Sequence, residues 1–261
     1  MITIIKLGGS AITYKEERMK PRIDIIDMIA RELKSYWYEK EKDESIIIVH
    51  GGGSFGHPLA KDYKLNEGLK NDESMIGASE TIDAMRVLSL IVSNTLRRYG
   101  LPVFPIQSSS IVIKRNRKIV SFHKEIITAI IEKGFMPLLW GDVTIDKELG
   151  VCIVSGDEII LALSEFLDVS RVVFGTDVDG VYKDLTTGEI YKKILPSDFE
   201  KALRNIKSIA SKDVTGGMKA KLEVAFSIAR KGVLVRIINL TKQNNLLKAL
   251  RNEDVGTLIQ F

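Results

Sequence analysis

The sequence predicts an α/β protein: a three-layer αβα sandwich around a mainly parallel open sheet. Two observations carry that expectation. Short β-branched apolar runs alternate along the whole chain with stretches whose apolar residues recur at helical spacing, the pattern of parallel strands joined through helices. Glycine-rich motifs stand directly after several of the strand-like runs, where ligand-binding loops of such sheets belong. The 261 residues suffice for one large domain with ample core. No internal repeat or Pro/Gly/Ser-rich linker divides the chain, so a single domain over 1–261 is expected.

The elements follow in order. Residues 2–7 open the chain as a strand. Ile26, Ile29, Leu33 and Trp37 then mark one face of an amphipathic helix. Residues 46–49 form a buried strand that runs into His50-Gly51-Gly52-Gly53-Ser54-Phe55-Gly56-His57. Residues 77–98 are helical in pattern and 103–106 a short strand. Residues 114–119, with Arg115-Asn116-Arg117 at their centre, read as a small hairpin. A helix over 125–133 closes at Gly134, in the position that favours a left-handed residue. Residues 136–140 are a strand ending at Gly141-Asp142, 156–167 a helix, 171–175 a strand, 218–231 a helix closing at Gly232, 233–238 a strand and 242–250 a last helix.

Composition narrows the functional classes. An apolar share of 45% with 28% charged residues is that of a soluble globular protein. No apolar run approaches the roughly 20 residues of a membrane-spanning helix, and the strand-like start leaves no signal or transit peptide to expect; no membrane partner is expected. The one cysteine, Cys152, excludes an internal disulfide and fits a reducing, cytoplasmic setting; it is expected to be a small half-buried hydrophobe. A net charge of +4 from lysines spread along the chain, with no basic tail, argues against nucleic acid. The run from Glu39 to Glu44 is expected to be a solvated helix end and loop.

Five motifs carry chemistry. In the first, Lys6-Leu7-Gly8-Gly9-Ser10 with Lys15 beyond it, a strand end offers backbone donors and point charges to phosphate. The second is the glycine–histidine loop, where glycine permits close backbone approach and positive φ. Its successive N–H groups make an anion nest, with His57 at the rim; two nests facing one crevice would hold two phosphoryl groups. Gly51, Gly53 and Gly56 also fit G-x-G-x-x-G, but the dinucleotide reading needs an acidic residue at the end of the next strand, and Gln107 and serines stand there. No G-x-x-x-x-G-K-[ST] is present; Gly175 to Gly180 has the glycine spacing and continues Val181-Tyr182, which disfavours P-loop machinery. That third motif, Gly175-Thr176-Asp177-Val178-Asp179-Gly180, offers carboxylates that cap backbone, bond a ribose or hold a metal. The fourth, Asp213-Val214-Thr215-Gly216-Gly217-Met218-Lys219-Ala220-Lys221, opens a helix with two lysines against its dipole, which an anionic partner would explain. The fifth, Ser155-Gly156-Asp157, is a loop-to-helix junction whose Asp157 is either a cap or an organiser of lysines. His50 is expected to be structural and His123 a surface residue.

Taken together and in this order, the motifs resemble the amino acid kinase superfamily over essentially the whole chain. Within it, His50 to His57 followed by Pro58-Leu59-Ala60-Lys61 resembles the isopentenyl phosphate kinase family, with His57 as the diagnostic residue. The resemblance implies ATP and Mg²⁺ as cofactors, isopentenyl phosphate as acceptor, a homodimer, an acceptor-binding lobe over about 1–150 and a nucleotide-binding lobe over about 151–261. It implies Lys6, Lys15, His57, Asp157 and Lys221 as catalytic residues. Gly52, Gly53, His57 and Gly156 would hold the acceptor. Lys6, Gly8, Gly9, Ser10, Gly53, Thr176, Asp177, Asp179, Tyr182, Gly216, Lys219 and Lys221 would hold ATP, with Mg²⁺ on the nucleotide's phosphates and no protein-held metal. Ile76, Ile82 and Met85 are candidates for an alkyl pocket. Fosfomycin kinases share the histidine loop and are the nearest competing reading; a ligand-binding or storage protein on the same fold is the non-enzyme alternative.

Overall fold

The structure, a computed structural model, describes residues 1–184, 186–209 and 216–261. The segment Asp213–Thr215 of the fourth motif lies outside them. In chain order the described strands are β1 (Ile2–Leu7), β2 (Ser45–His50), β3 (Val103–Pro105), β4 (Val112–Arg115), β5 (Lys118–Phe122), β6 (Met136–Trp140), β7 (Asp142–Asp146), β8 (Gly150–Val154), β9 (Val169–Thr176), β10 (Tyr182–Asp184), β11 (Glu189–Ile190), β12 (Lys193–Ile194), β13 (Leu234–Asn239) and β14 (Thr257–Ile259). The helices are α1 (Gly9–Ile12), α2 (Ile23–Glu39), α3 (Gly53–Asp62), α4 (Asp72–Arg98), α5 (Lys124–Glu132), α6 (Gly156–Phe166), α7 (Phe199–Ile209), α8 (Gly216–Ala229) and α9 (Asn245–Leu250).

Eight strands form one sheet in the order β12-β14-β13-β9-β1-β2-β6-β3. All neighbours run parallel except β13 and β14. The alternation along β1 and β2 sorts side chains to two cores. Ile4, Ile47 and Val49 face α5, α6, α7 and α8. Ile5, Leu7, Ile46 and Ile48 face α1, α2, α3, α4 and α9. This is the three-layer sandwich the alternation predicts. From β1 the chain builds outward through β2 and β6 on one side, and later through β9 and β13 on the other. The reversal beside β1 leaves a crevice at the carboxyl ends of β1, β2 and β9, the place where open α/β sheets bind ligands.

A second, four-stranded sheet, β5-β4-β7-β8, exceeds the expectation of a lone hairpin at 114–119, which survives as β4–β5. β7 departs from the expected alternation: Asp142, Val143, Thr144 and Asp146 are buried and only Ile145 is exposed. The buried carboxylates are satisfied locally. Asp146 accepts from the backbone amides of Asn116, Arg117, Glu148 and Leu149 at 2.7–3.1 Å. Burial works against its ionisation, yet these donors hold the carboxyl well below the usual carboxylate range.

Four expectations are corrected here. Glu44 is not solvated: it is 3% exposed, accepts from Thr3 Oγ1 at 2.6 Å and Tyr36 OH at 2.8 Å, and faces Arg171 at 3.8 Å. Cys152 is fully rather than half buried, with its thiol pushed up to about 11 by burial. The stretch after Gly53, read as loop, is helical from its start, and the last helix begins at Asn245 because Asn244 adopts φ 66°.

Candidate active site

Three helix N-termini meet at the crevice, each set by its strand. The chain leaves β1 into Gly8 and starts α1 at Gly9; it leaves β2 through Gly51 and Gly52 and starts α3 at Gly53; it leaves β8 and starts α6 at Gly156. Gly8 N donates to Gly175 O at 3.0 Å and Gly51 N to Leu7 O at 2.9 Å, which pins the loops to the neighbouring strand ends. The glycines are needed where the loops touch. A Cβ on Gly9 would run into the Gly53 backbone, and Gly53 (φ 48°) has no room beside Thr13 and the Gly9 carbonyl. Helix starts leave N–H groups without intrahelical partners. The amides of Gly9, Ser10, Gly52, Gly53, Gly156 and Asp157 have no partner among the described backbone hydrogen bonds. All six residues line one cavity of about 530 Å³, so the wall offers a field of donors suited to anions.

Charged side chains complete the wall. Asp157, on the first turn of α6, bridges two lysines: Lys6 Nζ donates to Oδ1, and Lys221 Nζ lies 3.5 Å from Oδ2. The junction that places it is a capping box. Ser155 Oγ accepts from Glu158 N at 3.2 Å and Glu158 Oε2 from Ser155 N at 2.8 Å. Lys114, 2% exposed on β4, donates to Glu158 Oε1 at 2.7 Å and Ile153 O at 3.0 Å and so holds that box from behind. Burial, reinforced by the charge of Lys221, pushes Lys6 down to about 7 against the pull of Asp157. Asp157 lies below its ordinary value because the two lysines outweigh its burial.

On the other wall, Lys15 Nζ pairs with Asp177 Oδ2 at 2.6 Å and Ser10 Oγ donates to Oδ1 at 2.7 Å. This network joins the first motif to the loop after β9. Thr176, Asp177 and Val178 line the cavity there, and Gly217, Met218 and Lys221 bring in the start of α8. His57, on the first turns of α3, lines the cavity as an exposed residue. Desolvation inside the cavity, then the Lys6 charge, lowers its imidazole below its ordinary value. That is opposite in direction to the rise expected for a phosphate-paired histidine. Met85 from α4 lies against the glycine loop and shares the lining with Pro58, Thr81 and Ile153, giving the histidine end an apolar side.

The structure thus brings Lys6, Gly8, Gly9, Ser10, Lys15, Gly52, Gly53, His57, Gly156, Asp157, Thr176, Asp177 and Lys221 around one cavity. It does not bring all the candidates there. Asp179 faces Lys242 and Asn239, at 2.7 and 2.9 Å, outside the lining. Tyr182 sits on β10 away from it, Lys219 turns to Glu223 at 3.6 Å, and Gly216 precedes the lining residues of α8. Ile76 is exposed and Ile82 packs against a small core with Leu65 and Val143, so of the three alkyl candidates only Met85 reaches the cavity. His50 is buried and stacked on Trp140, and His123 is exposed. Thr13, buried in the lining, was missed; only its place four residues after a glycine pair signals it.

Residues 1–239 match the amino acid kinase family. The chain belongs to that family. Its members include isopentenyl phosphate kinase of Methanocaldococcus jannaschii, 36% identical over all of this chain and 99% of its own. That of Methanothermobacter thermautotrophicus is 34% identical over 98% of both chains. A solved isopentenyl phosphate kinase structure superposes with TM-score 0.82 at 30% identity, covering 99% of this chain and all of its own. A substrate complex of such a kinase reaches 0.75 at 27% identity, covering 99% of this chain and all of its own. Acetylglutamate kinase of Campylobacter jejuni is more distant at 24% identity over 99% of this chain and 91% of its own.

Proposed function

We propose that the chain is an isopentenyl phosphate kinase, transferring the γ-phosphoryl group of ATP to isopentenyl phosphate and yielding isopentenyl diphosphate and ADP. The observation that carries this reading is the contact between two anion nests, the Gly8–Ser10 and Gly52–Gly53 loops, over a lysine pair bridged by Asp157, with His57 and an apolar side at one end. One nest suits the γ-phosphate of the donor, the other the phosphate of the acceptor, and the apolar side around Met85 suits a short hydrocarbon tail.

The acceptor is a phosphate monoester with a second pKa near 6, so near neutral pH its attacking oxygen is already ionised and needs no general base. An acceptor oxygen forms a bond to the γ-phosphorus while the bond from γ-phosphorus to the β,γ-bridging oxygen breaks; ADP leaves with that electron pair and no proton moves. The obstacle is repulsion between two anions, and positioning with charge neutralisation overcomes it. In this reading the Gly52 and Gly53 amides and His57 hold the acceptor, and Lys6 and Lys15 neutralise the transferring group. Gly8, Gly9 and Ser10 hold the donor phosphates, Lys221 neutralises the donor side, and Asp157 positions Lys6 and Lys221. Gly156 adds an amide toward the acceptor, and Thr176 and Asp177 line the nucleotide's way in.

Mg²⁺ belongs to this reading as a passenger of the nucleotide. Among the described residues no group of three or more His, Cys, Asp or Glu side chains stands close enough to hold a cation, and Asp157 and Asp177 are engaged by lysines. That residue set does not fit a protein-held ion; the phosphates of ATP would carry it. The reading extends to a homodimer, for which Val87 and Leu90 are exposed on α4. It also extends to a cytoplasmic setting, consistent with the absence, among the described residues, of a helix long and apolar enough to cross a membrane. The two lobes, about 1–150 for the acceptor and 151–261 for the nucleotide, are part of it; the lining draws on both, so the cavity would be where they meet.

The test is ADP release from MgATP by the purified chain with isopentenyl phosphate, dimethylallyl phosphate, fosfomycin and N-acetylglutamate in parallel. Turnover of the isoprenoid phosphates alone is expected. Turnover of fosfomycin alone would reassign the acceptor, and no turnover of any would favour a binding protein on this fold.

A further inference from the structure

Thr13 ends α1 and is 1% exposed. Its hydroxyl donates to Gly9 O at 2.8 Å and accepts from Ser54 N at 2.9 Å. A hydroxyl has one proton to give, and here it goes to the first glycine loop while a lone pair serves the second. Both polar functions are spent inside the protein. The contact is tight on every side: a Cβ on Gly53 would meet Thr13 Oγ1, Thr13 Cγ2 and Gly9 O.

Resting on the phosphoryl-transfer reading, we propose that Thr13 is a positioning residue that staples the two phosphate loops together and fixes the separation between donor and acceptor phosphates. Three consequences of its placement support this. The hydroxyl takes up the Ser54 amide, which restricts the acceptor nest to Gly52 and Gly53. The Gly9 carbonyl also receives the Thr13 amide at 2.9 Å, while Gly9 N and Ser10 N, without a partner among the described backbone hydrogen bonds, are left to a ligand. Thr13 also roots the segment that carries Lys15. It pairs with Pro21, Tyr14 N donates to Lys20 O at 3.0 Å, and Met19 N donates to Ser54 O at 3.1 Å. The Thr13 side chain therefore ties the two nests together, and its backbone roots the segment that carries Lys15. Two anions repel, so loops that merely bind them would relax apart when both are loaded. A buried hydrogen-bonded clamp that no substrate displaces resists that relaxation, and the rate of in-line transfer depends steeply on such spacing.

Thr13→Val, Thr13→Ala and Thr13→Ser separate the hydroxyl from the methyl. Valine keeps the shape without the hydroxyl, alanine removes the hydroxyl without setting a methyl against the Ser54 amide, and serine keeps the hydroxyl. The expected result is a kcat lowered about 10- to 100-fold in the valine and alanine variants. The dissociation constants of isopentenyl phosphate and of β,γ-imido-ATP, each measured alone, should stay within about threefold of wild type, since neither ligand alone strains the clamp. Serine should restore most of the rate. Wild-type kcat in both the valine and alanine variants would overturn the proposal. So would loss of both affinities in step with kcat, the mark of general damage, or a serine variant as slow as valine. Should the valine variant not fold, the alanine variant carries the same comparison. Hydrogen exchange at the Ser54 amide reads the staple without any turnover: protection in wild type and serine, and its loss in valine and alanine, is expected, and equal exchange in all four would overturn the proposal. A wild-type chain that turned over no isopentenyl phosphate would count against the functional reading alone, because the Ser54 exchange still decides the staple.

Discussion

Replacing His50 by asparagine should flatten the acid side of the stability profile. His50 ends β2 beneath the glycine loop, fully buried, its ring stacked on Trp140 at 5.8 Å between centroids. Nδ1 lies 3.1 Å from Gly51 O. A carbonyl only accepts, so Nδ1 carries the proton and Nε2 is the bare nitrogen, and Nε2 has no partner among the described residues. A second proton there would create a buried, unpaired cation. Burial accordingly pushes the imidazole down to about 4, with the Gly51 bond opposing only in part. The unfolded chain titrates near 6.5, so the unfolded state binds more protons between the two values and stability falls as pH falls through that window. Each tenfold change in proton affinity is worth about 1.36 kcal/mol. About 2 kcal/mol of stability should therefore be lost to His50 alone between pH 7 and pH 5, and about 3 kcal/mol by pH 4. Asparagine does not titrate, and its amide can donate where Nδ1 did. Urea unfolding at pH 7, 6 and 5 should show wild type losing about 2 kcal/mol more than His50→Asn over that span. Parallel loss in the two proteins would refute the argument that His50 is held neutral by burial.

Three further outcomes follow from the site and its support. Asp157→Asn should lower kcat by about 100-fold or more with a smaller change in the KM for ATP, since Lys6 and Lys221 lose the carboxylate that places them; a raised KM at unchanged kcat would point to ground-state binding alone. Isopentenyl phosphate binding should take up protons near pH 7. His57 and Lys6 are held low in the empty cavity and a bound dianion raises both, so affinity should weaken as pH rises above neutrality; calorimetry in two buffers of different ionisation enthalpy measures this, and the uptake should shrink in His57→Asn. Lys114→Met should cost about 1–3 kcal/mol of stability, read as a lower urea midpoint at unchanged slope, because it strips the partner from Glu158 behind the α6 capping box.

The parts of this molecule legible in the sequence are those whose burial is simple. The strands at residues 46–49, 136–140 and 171–175 are apolar on both faces because helices cover both, and such runs announce themselves. β7 does not, because Asp142, Thr144 and Asp146 are buried with Val143 while Ile145 is exposed, and carboxylates sink only when a particular set of amides waits for them. Glu44 misled for the same reason: a charge run looks solvated until Arg171, Tyr36 and Thr3, distant in sequence, are seen around it. Within the site, Lys6, His57, Asp157 and Lys221 stand in motifs with a chemical rationale, and the fold brings them around one cavity. Asp179 and Tyr182 stand in a motif of the same look, yet the turn after β9 carries Asp177 inward and Asp179 out to Lys242. Spacing along a turn does not fix which carboxylate faces the crevice. Thr13 was invisible because its role depends on a loop 41 positions away.

The charges of the cavity explain why an anion suits its acceptor end. One carboxylate, Asp157, serves two lysines, and the burial of Lys6 together with the nearness of Lys221 outweighs that one partner. Asp142, the other buried acid in the lining, is pushed up by burial despite donors from Ser109, Gln107 and the Val143 amide. Lys6 and His57 are both held below their ordinary values in this cavity. A phosphate in the acceptor nest supplies negative charge: it restores the protons, and the restored cations then face the phosphoryl group that must cross between two anions. A neutral alcohol in the same nest would leave Lys6 and His57 only partly charged and the unpartnered amides of Gly52 and Gly53 without an anion. The same balance of charge therefore favours a phosphate acceptor over its alcohol and prepares the charges that the transfer step would use.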